Sequence, residues 1–319
     1  DMPAIAVTDT NNMCCALEFS EGASKAGIQP IIGCQVALAY DLAAPGQKAR
    51  MPAPLVLLAH NERGYETLMV HNSCLYLDTA GELPQVQVAQ LVAHSEGLIC
   101  LTGGPNGPLG KFLQNGQAAK ARALIDQLVL AFGDRLYIEL QRHSGKDGSA
   151  PEVERLSERG AVEMAYAMDL PLVATNDVYF PKTEMYEAHD ALICIAEGSY
   201  VDQQEPRRRL TPQHYLKTPA EMAVLFADLP EALANTVEIA QRCAFKAYKR
   251  DPILPKFADD EVVELRQQSN DGLQRRLAVI PHAVSVEDYQ KRLNYELDII
   301  EDMGLCLLCT LELDPAHTR

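Results

Sequence analysis

The chain has 319 residues, 47% hydrophobic and 23% charged, which is ample apolar material for a core and excludes an intrinsically disordered protein. Lys and Arg total 28 against 44 Asp and Glu; the formal net charge of -16 repels phosphate backbones on average and argues against a general nucleic-acid coat. No uninterrupted apolar run reaches the roughly 18 residues of a membrane span, and the N-terminus lacks the basic-then-apolar layout of a secretory signal.

In chain order, Ala4–Val7 reads as a short buried strand ending in Thr8-Asp9, and Ala16–Ala26 as a helix closed by Gly27. Pro30–Leu38 is the next strand. A Pro/Gly-rich stretch with Pro45, Gly46, Pro52 and Pro54 leads to strand Leu55–Ala59, after which Asn61 caps a helix to Leu77. The alternation continues as strand Gly97–Leu101, helix Gln117–Phe132, strand Leu136–Leu140, helix Pro151–Met168 and strand Leu172–Thr175. Six strands separated by helices point to an α/β fold with a parallel sheet or barrel. Beyond Thr183 only helices are expected, at Thr183–Ala196, Pro219–Phe226, Pro230–Cys243, Asp259–Leu277 and Val286–Met303. The polar, proline-marked stretch Lys246–Phe257 reads as a linker to a second, helical segment.

The nine cysteines are Cys14, Cys15, Cys34, Cys74, Cys100, Cys194, Cys243, Cys306 and Cys309. An odd number scattered through apolar segments fits reduced thiols and a cytoplasmic location. Cys306 and Cys309 have the spacing of half a zinc site, with no second Cys/His pair nearby to complete it.

In parallel α/β folds reactive groups gather at the C-terminal ends of the strands. Those ends carry Asp9, Gln35, His60, Gly104, His143 and Asp177. Asp9, His60, His143 and Asp177 have the ligand chemistry of a divalent metal site. A polar residue after a buried strand more often caps the next helix, which is the default reading of Asp9 or Asp177 taken alone. His189 lies within an amphipathic helix and reads as a packed histidine. Arg207, Arg208 and Arg209 form the one basic cluster, either a solvated face or a contact for a phosphate or an acidic partner. There is no Walker-type loop or Rossmann fingerprint, and Pro105 and the missing Lys spoil Gly103–Gly107 as a phosphate cradle.

Eight stretches go further. They are Met2–Asp9 with Asn12-Met13 and Glu18-Phe19, then Ala26–Cys34, Tyr137–His143, Ala174–Val178, Glu187–Leu192, Leu225–Ala232, Leu254–Phe257 and Arg292–Ile300. In order and spacing, this series resembles the N-terminal region of the bacterial DNA polymerase III alpha subunit family, over residues 2 to 304. The resemblance implies a polymerase-and-histidinol-phosphatase (PHP) domain, a distorted βα barrel, here lacking its first strand, followed by a helical segment. The expected division is a barrel over 1–200, a barrel-closing segment and linker over 201–257, and the helical start of the polymerase thumb and palm over 258–319, truncated.

Metal-binding members of that family hold three ions on nine ligands, three of them from a first strand that this chain does not include. The other six positions can be compared. Thr10 stands where the family has His, Gln35 where it has Glu, and Gly104 where it has Cys. His143 and Asp177 are retained, and Tyr179 replaces the final His. Loss of ligand number and charge weakens metal binding, so the set implies a degenerate barrel with at most one weakly held ion between His143 and Asp177. In some relatives such a barrel is a structural platform for the separate proofreading exonuclease subunit. DNA is then held mainly by later domains, other replisome subunits are reached through the whole protein, and no membrane is involved.

The resemblance implies a Mg2+-dependent DNA-directed DNA polymerase for the whole subunit, with no cofactor and no catalytic residue in this region. Asp298 and Asp302, beside Glu296 and Glu301, read as a solvated helix face. Residues 305–319 depart from the family pattern. The alternative is a metal-dependent phosphoesterase of the PHP superfamily.

Overall fold

The computed structural model describes residues 2–41, 51–77, 83–144, 149–250 and 258–306. They form two compact units, residues 1–248 and 249–319.

In the first unit β1 (Ala4–Val7), β2 (Gln29–Ala39), β3 (Ala53–Ala59), β5 (Leu98–Leu101), β6 (Leu136–Gln141) and β7 (Leu172–Thr175) are hydrogen-bonded in that order, and the short β4 (Val86–Gln87) pairs with β2. The helices are α1 (Ala16–Lys25), α2 (Glu62–Leu77), α3 (Val88–Ala93), α4 (Pro108–Gln114), α5 (Ala118–Phe132), α6 (Glu152–Ala167), α7 (Tyr186–Glu197), α8 (Pro219–Leu225) and α9 (Pro230–Arg242). All six expected strands are present, and the α/β alternation holds. The termini obey local chemistry. The Asn61 carboxamide accepts from the Gly64 amide at 3.0 Å at the start of α2, and Gly27 takes φ +73° after α1.

One expectation is corrected. β3 is antiparallel to both β2 and β5, whereas β1–β2, β2–β4, β5–β6 and β6–β7 are parallel. A parallel neighbour needs a crossover, usually helical, and the sequence between β2 and β3 is short, broken by Pro45, Gly46 and Pro52, and carries no helical period. The reversal also moves His60. It follows the C-terminal end of β3, where Ala59 pairs with Leu98 at the start of β5 and the His60 amide bonds Gly97 O at 2.8 Å. His60 is therefore at the opposite rim of the sheet from Asp9, His143 and Asp177.

Side chains alternate between two apolar faces with the strand period of two. Leu55, Leu57, Leu98, Cys100, Leu136, Ile138, Leu172 and Ala174 share one cluster with α2, α3, α4, α5 and α6 residues. Val56, Leu58, Ile99, Leu101, Tyr137 and Val173 point the other way and meet Ile239 and Cys243 of the α9 segment. Each fully buried Leu or Ile contributes about 1.5–3 kcal/mol. α9 reaches from the start of β7, where Asn235 donates to Leu172 O at 2.7 Å, to the start of β2, where Gln29 donates to Ala240 O at 2.5 Å. It fills the inner face at the strand N-termini and leaves the C-terminal rim to polar residues.

In the second unit α10 (Glu261–Val279) and α11 (Val286–Asp302) pack through Leu265, Leu297 and Cys306. Asp298 and Glu301 are exposed as expected, and both accept from Arg266, at 2.7 and 2.5 Å. Cys309 and most of the tail 305–319 lie outside the described residues.

Candidate functional site

The C-terminal rim is assembled from the ends of β1, β2, β5, β6 and β7 and from the segment that follows α7. At the first two ends Thr10 and Gln35 form a bridge, and the Thr10 hydroxyl donates to Gln35 Oε1 at 2.9 Å. The Gln35 carboxamide oxygen is thus engaged by Thr10. Asp9 contributes its carbonyl to the Gln35 amide at 3.0 Å, and its carboxylate takes a hydrogen bond from Cys15, whose thiol pKa it raises.

At the end of β5, Gly103-Gly104 turns into a short 3-10 helix and then α4. Gly104 has φ +57°, and a Cβ there would lie 2.6 Å from Gln141 Cδ. The Gln141 side chain fills the space a cysteine would use. Glu139, on the same face of β6, is 4% exposed and accepts from the Gly103 amide at 2.8 Å, the Thr175 hydroxyl at 2.5 Å and the Gln141 carboxamide at 3.2 Å. Burial raises its pKa, opposed by the Thr175 and Gly103 bonds.

His143 is 3% exposed. Its Nδ1 lies 2.7 Å from Glu154 Oε1, and its amide donates to Glu154 Oε2 at 2.9 Å. Glu154, in the first turn of α6, fixes the ring and leaves Nε2 buried without a partner. The His143 ring stacks on His214, with centroids 3.8 Å apart and an interplanar angle of 5°. Asp177 lies beside them; burial raises its pKa, while His143, Arg208 and a hydrogen bond from Tyr179 lower it. His189 packs against Tyr179 and Phe180, each ring 5.5 Å away, in agreement with its reading as a packed histidine.

The three arginines do not act alike. Arg207 is locked in a bidentate pair with Asp190 at 2.7 and 2.6 Å, its side chain 3% exposed, so it belongs to no solvated face. Arg209 donates to Val201 O at 2.8 Å. Arg208 reaches the rim, with Nη2 3.5 Å from the Tyr179 hydroxyl.

The structure thus brings together Gly104, His143, Asp177 and Tyr179, pairs Thr10 with Gln35, and excludes His60. Among the described residues, no three His, Cys, Asp or Glu side chains are arranged to hold one metal ion. Thr10, Gln35, Gly104 and Tyr179 do not fit a trinuclear cluster: the first two bond each other, the third has no side chain or room for one, and the fourth is a phenol hydrogen-bonded to Asp177. Sequence reading missed Glu139, Glu154, His214 and Lys217. A charged residue inside the otherwise apolar strand Leu136–Gln141 was the available signal for Glu139.

The family model for the PHP domain matches residues 1–143. The similarity extends beyond those residues: the DNA polymerase III subunit alpha of Caulobacter vibrioides is 47% identical over 309 residues, which is 95% of this chain and 26% of that protein. The corresponding protein of Pseudomonas aeruginosa is 40% identical over 315 residues, with the same 95% and 26% coverage. That of Rickettsia bellii is 36% identical over 317 residues, again 95% and 26%. The chain thus spans about a quarter of the length of the curated relatives it matches. No helix of the described residues is long and apolar enough to cross a membrane.

Proposed function

We propose that this region serves bacterial DNA replication as part of a DNA polymerase III alpha subunit, with its PHP barrel acting as a metal-free structural platform and docking domain for the proofreading exonuclease subunit. The observation that supports the reading is the Gly104–Gln141 contact: a side chain at position 104 would collide with Gln141, which is held in a buried, hydrogen-bonded group with Glu139 and Thr175. Nucleotidyl transfer with Mg2+ belongs to the whole subunit in this reading, and the protein works in the cytoplasm. Asp298 is paired with Arg266 and is assigned no catalytic role, so the isolated chain should not extend a primer.

One observation favours the second reading, a metal-dependent phosphoesterase. Glu154 holds His143 at Nδ1 and leaves Nε2 bare, the arrangement in which a carboxylate orients a histidine toward a metal. Asp177 alone of the remaining family positions could join it, which is too few donors for a hydrolytic centre.

The test is a titration of the 319-residue chain with the exonuclease subunit and, separately, with primed duplex DNA at physiological salt. Saturable binding of the exonuclease and weak DNA binding are expected from a surface of net charge -16. Tight DNA binding with no exonuclease binding would overturn the platform. Hydrolysis of small phosphoesters above background, lost in His143→Ala, would favour the phosphoesterase.

A further inference from the structure

Glu139 and Glu154 line one small cavity, Asp177 acts electrostatically on Glu139, and the residues around them do not fit a metal cluster. Buried carboxylates without compensating charge are costly. The segment after α7 supplies what is needed. Its main chain is fastened to the extension of β7: the Tyr179 amide donates to His214 O at 3.0 Å, the Leu216 amide to Phe180 O at 3.1 Å, and the Asn176 side chain to Tyr215 O at 2.7 Å. Phe180 and Tyr215 form a parallel bridge. These bonds fix where the cations of the segment land.

Arg208 lies with its guanidinium 5.9 Å from the Tyr179 ring centroid and Nη2 3.5 Å from the phenol oxygen, and the Tyr179 hydroxyl in turn bonds Asp177. Lys217 is 8% exposed, donates to Asn176 Oδ1 at 2.8 Å and to Gln213 O, and its charge is favoured by Glu221 and, to a lesser degree, by Glu154. His214, between them, stacks on His143. The other two arginines are committed elsewhere, Arg207 to Asp190 and Arg209 to Val201 O.

We propose that residues 208–217 form an internal counter-ion cap, in which Arg208, relayed through Tyr179, and Lys217 supply at the strand ends the positive charge that balances Asp177 and Glu154. The inference rests on the metal-free reading of the barrel. Tethered cations thereby take, beside these carboxylates, the place that diffusible ones would otherwise fill.

The test is a double-mutant cycle read by thermal unfolding of the whole chain, on protein whose zinc and manganese content has been measured. Arg208→Gln is expected to lower Tm by about 2–4 °C in the wild-type background and by less than about 1 °C in the Asp177→Asn background. Arg208→Lys, which keeps the charge, should recover most of the loss. Lys217→Met against Glu154→Gln should couple with the same sign and a smaller size, because Glu221 also draws on this ammonium. An equal fall in both backgrounds, or no fall in wild type, would overturn the proposal. So would a salt-dependent loss of DNA binding in Arg208→Gln at unchanged Tm, which is the signature of a phosphate contact. Two or more equivalents of metal in the wild-type chain would defeat the metal-free reading and the need for a cap with it, whereas a metal-free protein with an additive cycle defeats the cap alone.

Discussion

Lowering the pH from 7 to 5 is expected to remove about 2 kcal/mol of stability from the first unit through His214 alone. Burial, and next the stacked His143, depress the His214 pKa from 6.5 to about 3. The unfolded chain takes up this proton as the pH falls through 6.5, while the folded chain refuses it until about 3. The unfolded state therefore binds more protons throughout that window. Stability from this group is complete above the unfolded value, declines as the pH falls, and stops declining near the folded value. Each pH unit in the window costs about 1.4 kcal/mol, so the loss at pH 5 does not depend on where the folded value lies below it. Urea unfolding of wild type and His214→Gln at both pH values checks this. The variant should lose the larger part of the pH dependence between 5 and 7, and parallel pH profiles would contradict the assignment.

The second large effect is expected at Arg142. Its guanidinium binds both oxygens of Glu158 at 2.6 to 3.2 Å, both oxygens of Asp228 at 2.6 and 2.8 Å, and Leu225 O at 2.8 Å. It also lies 4.7 Å from the ring centroid of Phe226, which is fully buried. One side chain thereby joins α6 to the turn between α8 and α9, the turn that aims α9 at the inner face. Arg142→Ala should cost about 2–3 kcal/mol. The figure is held down because Asp228 is 64% exposed and regains water when its partner goes. Arg142→Lys should recover less than half, since an ammonium cannot fork between two carboxylates. Chemical denaturation of the three proteins measures both numbers. A loss under about 0.5 kcal/mol for the alanine variant would show that α9 is held by its apolar contacts alone.

The strands were legible because each is a short apolar run bounded by turn residues, and β7 matches its expected bounds, Leu172–Thr175. The direction of β3 was not, since local periodicity carries no information about orientation within a sheet. The error propagated to His60, which a strand-end argument places at the wrong rim once the strand is reversed. α4 was hidden behind Gly107-Pro108, residues that read as a loop but serve as an N-cap and first helical turn. At the site, Thr10, Gln35, Gly104, His143, Asp177 and Tyr179 could be named from the sequence. The partners that define its chemistry were not visible. Glu154 sits eleven residues from His143, in the first turn of α6, where an acidic residue has an ordinary role opposite the helix dipole. His214 and Lys217 belong to a segment without helix or strand period, so nothing in their spacing connects them to β6 or β7. Arg207 looked like its two neighbours in sequence and differs from them only through Asp190, seventeen residues earlier on α7.

Elemental analysis of the purified chain after dialysis against metal-free buffer decides whether this PHP barrel is a platform without a metal centre. No more than about one equivalent of zinc or manganese per chain is expected, lost on further dialysis, because Thr10, Gln35, Gly104 and Tyr179 contribute no adequate ligands. Two or more equivalents retained through dialysis, and lost in an Asp177→Asn variant, would contradict it.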